Sequence, residues 1–132
     1  MPLNNPVPGA AYAAEFQMSA LPWATSSVLT TTATCLTFPF VSRFITVINL
    51  GGANQLLRVG FTQNGVNANP PQSASYFLVS GGLGPQTYEL RVAELWVRTE
   101  AATAVSASFL VGMTTVQPSF FPTLSGSGLN VG

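Results

Sequence analysis

The chain of 132 residues has no histidine, lysine or aspartate, and its charged residues are four arginines and four glutamates. This excludes histidine-based catalytic triads, histidine metal sites and Schiff-base lysines. A glycosidase-like carboxylate pair could in principle use Glu89 and Glu94 or Glu94 and Glu100, but the neighbouring Arg91 and Arg98 would sooner neutralise them as surface ion pairs. We therefore predict that the protein is not an enzyme and has no cofactor, catalytic residue or metal site.

Charge is scarce throughout the chain. Charged residues make up 6% of the sequence, against roughly 25% in ordinary globular proteins. The formal net charge is zero, so electrostatic repulsion does little to keep copies apart. We therefore expect a homo-oligomer. Four scattered arginines form no basic patch, which argues against direct binding to nucleic acid.

Cysteine is also scarce, and Cys35 alone cannot form an intrachain disulfide. Its place in the apolar run CLTF predicts a buried thiol. The N-terminus has neither the basic start nor the continuous apolar segment of a signal peptide. The most hydrophobic window, residues 35–50, is interrupted by Pro39 and Arg43 and is too short and polar to span a bilayer. These patterns predict folding in the cytoplasm without membrane insertion.

What the sequence does contain is a series of short runs rich in valine, isoleucine, leucine, phenylalanine and threonine. They alternate with glycine and asparagine turns about every ten residues, which is typical of an all-β sandwich or barrel. In the last run, from Val105 to Met113, apolar residues alternate with small polar ones, which predicts one buried face. Prolines 70 and 71 predict a surface loop from Asn67 to Ser75. The runs, about eight in all, cover residues 12–18, 27–38, 43–50, 55–63, 75–80, 86–92, 94–99 and 103–116.

The length suits one domain, which we place at residues 12–116. Residues 1–11, with three prolines and almost no periodicity, are predicted to form an extended N-terminal arm. Residues 117–132 are predicted to form a C-terminal tail rich in glycine, serine and proline. Phe120 and Phe121 in this tail are unfavourable in water. We expect them to dock on the chain's own surface or on a neighbour.

Five of the eight charges lie in one stretch, TYELRVAELWVRTE, residues 87–100. Its spacing permits a helix, with Glu94 and Arg98 as a favourable i, i+4 pair. The β interpretation fits the surrounding runs better, but the inward positions change parity between Val92 and Leu95. A β-bulge near Ala93 and Glu94 would explain that change. It would turn a polar strip outward, which we expect to pair glutamate with arginine within or between subunits: Glu89, Arg91, Glu94, Trp96 and Arg98.

Trp96 shares the outward strand face with Glu94 and Arg98 in this interpretation. Tryptophan and arginine are over-represented at protein interfaces, so we favour an interface anchor. The alternative is a sugar-stacking platform, for which the aromatic candidates are Trp23, Tyr76, Tyr88 and Trp96. The predicted interface residues are Glu89, Arg91, Glu94, Trp96, Arg98, Phe120 and Phe121.

Four stretches in order carry a resemblance: LRVGFTQNGVN, YFLVSGG, YELRVAELWVR and ASFLVGMTTV. Between about residues 40 and 120, the chain resembles small single jelly-roll capsid proteins of icosahedral double-stranded DNA viruses and phages, namely penton-type vertex proteins and capsid decoration or cement proteins. This resemblance implies an eight-stranded jelly-roll β-sandwich with extended N- and C-terminal arms.

In function, the resemblance implies a structural virion protein that oligomerises, contacts the major capsid protein and stabilises the shell. It also implies a location in the virion capsid, assembled in the host cytoplasm. The alternative is a carbohydrate-binding β-sandwich module, such as a phage receptor-binding or adhesin domain, for which the partner would be a glycan.

Overall fold

The computed structural model describes residues 20–68 and 75–120, which form an all-β sandwich of two antiparallel four-stranded sheets. The strand order is β1-β8-β3-β6 in the first sheet and β2-β7-β4-β5 in the second. A one-turn helix, α1 (Gln63–Asn67), follows β4, and a 3-10 turn, Pro118–Phe120, follows β8. The strands are β1 (Leu21–Leu29), β2 (Thr34–Thr37), β3 (Ser42–Asn49), β4 (Leu56–Gly60), β5 (Tyr76–Ser80), β6 (Gln86–Tyr88), β7 (Glu94–Thr99) and β8 (Val105–Met113).

The core lies between the two sheets and is built from the side chains that alternate residues of the strands direct inward. In β8, Ala107, Phe109 and Val111 are buried whereas Ser106 and Leu110 are exposed, which confirms the predicted alternation. The same period of two buries Leu95 and Val97 in β7. Burial of these aliphatic and aromatic side chains stabilises the sandwich by about 1.5–3 kcal/mol for each one fully buried.

The charged stretch 87–100 is neither a helix nor one bulged strand. It contains β6, in the first sheet, and β7, in the second, and residues 89–93 cross between the sheets. The crossover is held by Ser42, whose backbone N–H donates to the carbonyl of Val92 at 2.9 Å and whose hydroxyl donates to the carbonyl of Leu90. Because the inner faces of the two sheets oppose each other, this change of sheet accounts for the parity change that we attributed to a bulge.

Three further boundaries differ from the predictions. The run 27–38 is divided between the end of β1 and β2, which belong to opposite sheets. Asn64 and Gly65, which belong to the glycine and asparagine turns expected between the runs, lie in helix α1. The first turn of this helix is capped because the Gly65 N–H donates to the Thr62 hydroxyl at 3.0 Å. Leu21–Leu29 forms a nine-residue strand of which only the last residues were predicted.

Several predictions concern parts of the chain that are not described. The N-terminal arm, the run 12–18, most of the predicted loop from Asn67 to Ser75, and the tail from Phe121 onward lie outside the described residues. The domain boundaries at residues 12 and 116 therefore stay predictions. Among the described residues, no helix has the length and apolar character needed to cross a membrane.

Candidate functional site

The outer side of the second sheet, here called the polar face, carries part of the predicted interface. Glu94, Trp96 and Arg98 alternate with buried residues along β7 and share this face. Glu89 and Arg91 are exposed on the crossover instead, so the predicted strip is divided into two parts. An interface role for these residues stays a prediction.

Arg58 is the centre of the polar face and was not among the predicted site residues. It lies directly opposite Arg98 in the β4–β7 ladder, an arrangement of like charges that destabilises a sheet unless it is neutralised. Glu100 supplies the neutralising charge, since Nε and Nη2 of Arg58 donate to its two carboxylate oxygens. This bidentate hydrogen bond lowers the pKa of Glu100 and raises the pKa of Arg58.

The same guanidinium fastens helix α1 to the sheet. Nη1 of Arg58 donates to the backbone carbonyls of Val66 at 2.9 Å and Ala68 at 3.2 Å. The guanidinium carbon lies 4.4 Å from the centre of the Tyr76 ring, within the range of a cation–π interaction. Arg58 is 3% exposed. Its donors are directed at acceptors of its own chain, so this cluster acts as a structural clamp.

Arg98 is also held within the chain. Its Nη1 donates to Oδ1 of Asn67 at 3.2 Å, and its Nε donates to the carbonyl of Thr99 at 3.1 Å. Burial and, after it, the charge of Arg58 lower the pKa of Arg98. A glutamate and an arginine do pair within the chain, at Arg58 and Glu100. The pairing predicted for the charged residues of the polar strip stays a prediction.

The prediction of a buried Cys35 thiol is wrong. Leu36 and Phe38 take the inward positions, so the alternation of β2 places Cys35 on the polar face, where it is partly exposed. Its thiol donates to Oε2 of Glu94 at 3.3 Å. Burial, and to a smaller extent the Glu94 carboxylate, raise the pKa of Cys35.

The four aromatic candidates do not form one platform. Trp23 packs inward in an edge-to-face contact with Phe38, at 5.0 Å between ring centres. Tyr88 contacts Phe77 at 4.7 Å, and Tyr76 lies beneath the Arg58 guanidinium. Trp96 stands on the polar face, where its indole N–H is directed at Oε1 of Glu94 at 3.4 Å.

The structure describes one of the two phenylalanines that were predicted to dock. Phe120 is 80% exposed, so it does not dock on the described part of its own chain. Phe121 lies outside the described residues.

The outer side of the first sheet, here called the neutral face, was not predicted as a site. Among the described residues, the four strands of this sheet carry one charged side chain, Arg43, which is exposed at the register shift near the start of β3. The large apolar side chains most exposed on the face are those of Val28, at 66%, and Leu110, at 41%. Phe44 and Ile48 are half-buried on the same face. The full set is Pro22, Ala24, Ser26 and Val28 of β1; Phe44, Thr46 and Ile48 of β3; Thr87 of β6; and Ser106, Ser108, Leu110 and Gly112 of β8.

Hydroxyl groups on the neutral face bond to one another across the strands. The Ser26 and Ser108 hydroxyls are 2.8 Å apart, as are those of Thr46 and Thr87. Each hydroxyl therefore already has a partner within the sheet. A partner protein could cover these groups without the full cost of leaving buried polar atoms unpaired.

No family model and no curated protein matches the chain. A solved structure that matches is that of PliG from Aeromonas hydrophila, a periplasmic inhibitor of g-type lysozyme. The two chains are 18% identical, with a TM-score of 0.41, over 71% of this chain and 87% of that one. A likeness at this level assigns neither fold nor function.

The prediction of a structural virion protein is wrong on these comparisons, since none of them returns a capsid protein. The prediction rested on an order of strands and turns, which belongs to a fold class, and one fold serves many functions. The carbohydrate-binding alternative rested on the same order and on an aromatic platform. The aromatic candidates do not form that platform.

Proposed function

We propose that this chain is a non-catalytic β-sandwich domain that associates with a second copy of itself through the neutral face. The observation that carries the proposal is the outer side of the first sheet, whose strands carry no charged side chain except Arg43 near the start of β3 and which exposes Val28 and Leu110.

We also propose that the sandwich is a jelly roll. The chain pairs as one long folded hairpin: β1 with β8, β2 with β7, β3 with β6, and β4 with β5. These pairs alternate between the first and second sheets. Eight strands in two sheets connected in this way suit the double Greek key of jelly rolls.

Charge favours a second copy as the occupant of the neutral face. Away from Arg43, a partner bearing charge would bury it against a surface with no counter-charge, which is costly. A second neutral face brings no charge except its own Arg43, and the formal net charge of zero adds no long-range repulsion between copies. A twofold arrangement would place the same patch on both copies.

The size of the face sets the expected strength. The long strands of the first sheet measure about 30 Å at about 3.3 Å per residue, and strands spaced about 4.8 Å apart give a width of about 15–19 Å. Each copy would therefore contribute about 500 Å², so the pair reaches the lower end of specific interfaces, about 1,000 Å². We expect a dimer that dissociates in the micromolar range, with a Kd of about 10–100 μM.

Sedimentation equilibrium over a concentration series tests the proposal. The wild type should change from the 13.8 kDa monomer towards larger species as concentration rises. Leu110→Glu places a charge in the neutral face and should weaken association at least tenfold. Leu83→Glu is the matched control, since Leu83 is 62% exposed in the turn between β5 and β6, away from the face.

Circular dichroism on each variant establishes that the fold is retained. A wild type that stays monomeric at millimolar concentration would overturn the proposal. Equal weakening by both leucine variants would show that association does not depend on the neutral face.

A further inference from the structure

The four strands at the sheet edges differ sharply in length. Among the described residues, β6, β2 and β5 have three, four and five residues, whereas β1 has nine. Proteins usually protect long edges with charged residues, bulges or prolines, because an open edge pairs with other strands. β1 has no charged residue and no register shift, and its one proline, Pro22, stands near its start.

The backbone groups that point to the open edge can be identified from the ladder. The Leu50 N–H donates to the carbonyl of Ser106, so the even-numbered residues of β8 bond towards β3 and the odd-numbered ones towards β1. The β1 partners of those odd residues are themselves odd, such as Thr25 opposite Phe109. Pro22, Ala24, Ser26 and Val28 therefore direct their backbone groups away from β8.

We propose that this edge pairs with β1 of a second copy, antiparallel, to form one continuous eight-stranded sheet. The inference rests on the proposed self-association and adds a second contact to it. A register centred on Ser26 places Ala24 opposite Val28 of the partner strand. It uses every N–H and carbonyl that these three residues direct outward, and it leaves Pro22, which has no N–H, outside the paired segment.

The side chains suit the same partner. Residues 24–28 of β1 read ATSSV, so Ser26 would lie opposite Ser26 and Ala24 opposite Val28. No like charges meet across such a ladder, and the small side chains leave room for close approach. Antiparallel pairing of one strand with its own copy is self-complementary, as a twofold interface requires.

The two contacts leave each other accessible. Edge pairing extends the first sheet sideways and places two neutral faces next to each other, whereas docking of neutral faces stacks one sheet on another. A chain that makes both contacts should therefore form species larger than a dimer at high concentration.

Ser26→Pro and Ser26→Ala separate the edge from the face. Both substitutions remove the hydroxyl that bonds to Ser108, but only proline removes the outward N–H and blocks strand addition. Because the N–H of Ser26 does not bond to β8, the internal ladder keeps its hydrogen bonds. In sedimentation equilibrium, Ser26→Pro should weaken the formation of species larger than the dimer about tenfold or more relative to Ser26→Ala.

Combination with the face variant distinguishes the two proposals. Ser26→Pro should stop at a dimer, Leu110→Glu should still form the edge dimer, and the double variant should be monomeric. Equal association of Ser26→Pro and Ser26→Ala would overturn edge pairing while leaving face docking intact. If only Ser26→Pro weakens association, the edge stands and the face proposal fails.

Amide hydrogen exchange supplies a second readout at the edge. The amides of Ala24, Ser26 and Val28 should exchange rapidly in dilute protein and slow down as concentration rises. Equal protection at every concentration would mean that the chain covers its own edge, and it would overturn the proposal.

Discussion

Replacement of Arg58 by methionine should destabilise the domain by about 3 kcal/mol. The change removes the bidentate partner of Glu100 and the donor to the carbonyls of Val66 and Ala68. Loss of one member of a buried ion pair costs about 3–5 kcal/mol, and hydrogen bonds to charged groups are worth about 1.5–3 kcal/mol each. The Glu100 side chain is 35% exposed, so water compensates it in part and the lower end of the range applies.

Urea and thermal unfolding measure this loss. At about 3–4 °C per kcal/mol for a domain of this size, the Tm should fall by about 10 °C. The matched control is Arg91→Met on the crossover, where the arginine is exposed and the change should stay within about 0.5 kcal/mol. Hydrogen exchange at Val66 and Ala68 should accelerate in Arg58→Met alone.

The clamp would be refuted if Arg58→Met and Arg91→Met had the same free energy of unfolding. It would also be refuted if Arg58→Met were destabilised without faster exchange in α1, because the lost energy would then lie elsewhere.

Three further predictions follow from the described contacts. The hydrogen bond from the Arg58 guanidinium holds the pKa of Glu100 below its usual 4.5. The stabilising contribution of the Glu100 carboxylate is therefore complete above about pH 5 and is lost as pH falls through the lowered pKa. The difference in unfolding free energy between wild type and Glu100→Gln should shrink in acid, and a constant difference would contradict this. A Cβ at Gly81 would clash with the backbone carbonyl of Gly52, whereas one at Gly52 would meet only a glutamine oxygen at 3.8 Å. In urea unfolding, Gly81→Ala should therefore lower the free energy of unfolding by about 2–3 kcal/mol and Gly52→Ala by less than about 0.5 kcal/mol. Equal losses in the two variants would contradict the steric argument. Burial and the Glu94 carboxylate raise the pKa of Cys35, and the thiolate is the form that reacts. Iodoacetamide at about pH 8 should therefore alkylate the thiol faster in Glu94→Gln than in wild type. A slower reaction would contradict the assigned contact.

The sequence predicted the long alternating strands well. In β8 and β7 most buried positions carry aliphatic or aromatic side chains at a period of two, and that pattern reports burial directly. β1 was mostly missed because its inward positions include Thr25 and Ser27, whose small polar side chains give little hydrophobic contrast.

The parity change near Ala93 was visible in the sequence, but its cause was not. A bulge and a change of sheet both shift the inward positions by one residue, and only the pairing of β6 with β3 and of β7 with β4 distinguishes them. Local pattern carries no information about which strands become neighbours.

The candidate surfaces were less predictable than the strands. Arg58 and Glu100 are 42 residues apart, and their pairing depends on the register that sets Arg58 opposite Arg98. The neutral face combines short segments of four strands, none of which is hydrophobic enough on its outward side to stand out alone. An arginine between two buried residues, Leu57 and Val59, was the available signal for the clamp.

Solvent accessibility of individual methyl groups as a function of concentration tests the central claim most directly. With a soluble paramagnetic agent in the NMR sample, the methyl signals of Val28 and Leu110 should lose their strong attenuation as the concentration rises from about 10 μM to about 1 mM, through the expected Kd range. The methyl signals of Leu83, in the β5–β6 turn, should stay attenuated throughout. Constant attenuation of Val28 and Leu110, or protection of Leu83 in their place, would contradict association through the neutral face.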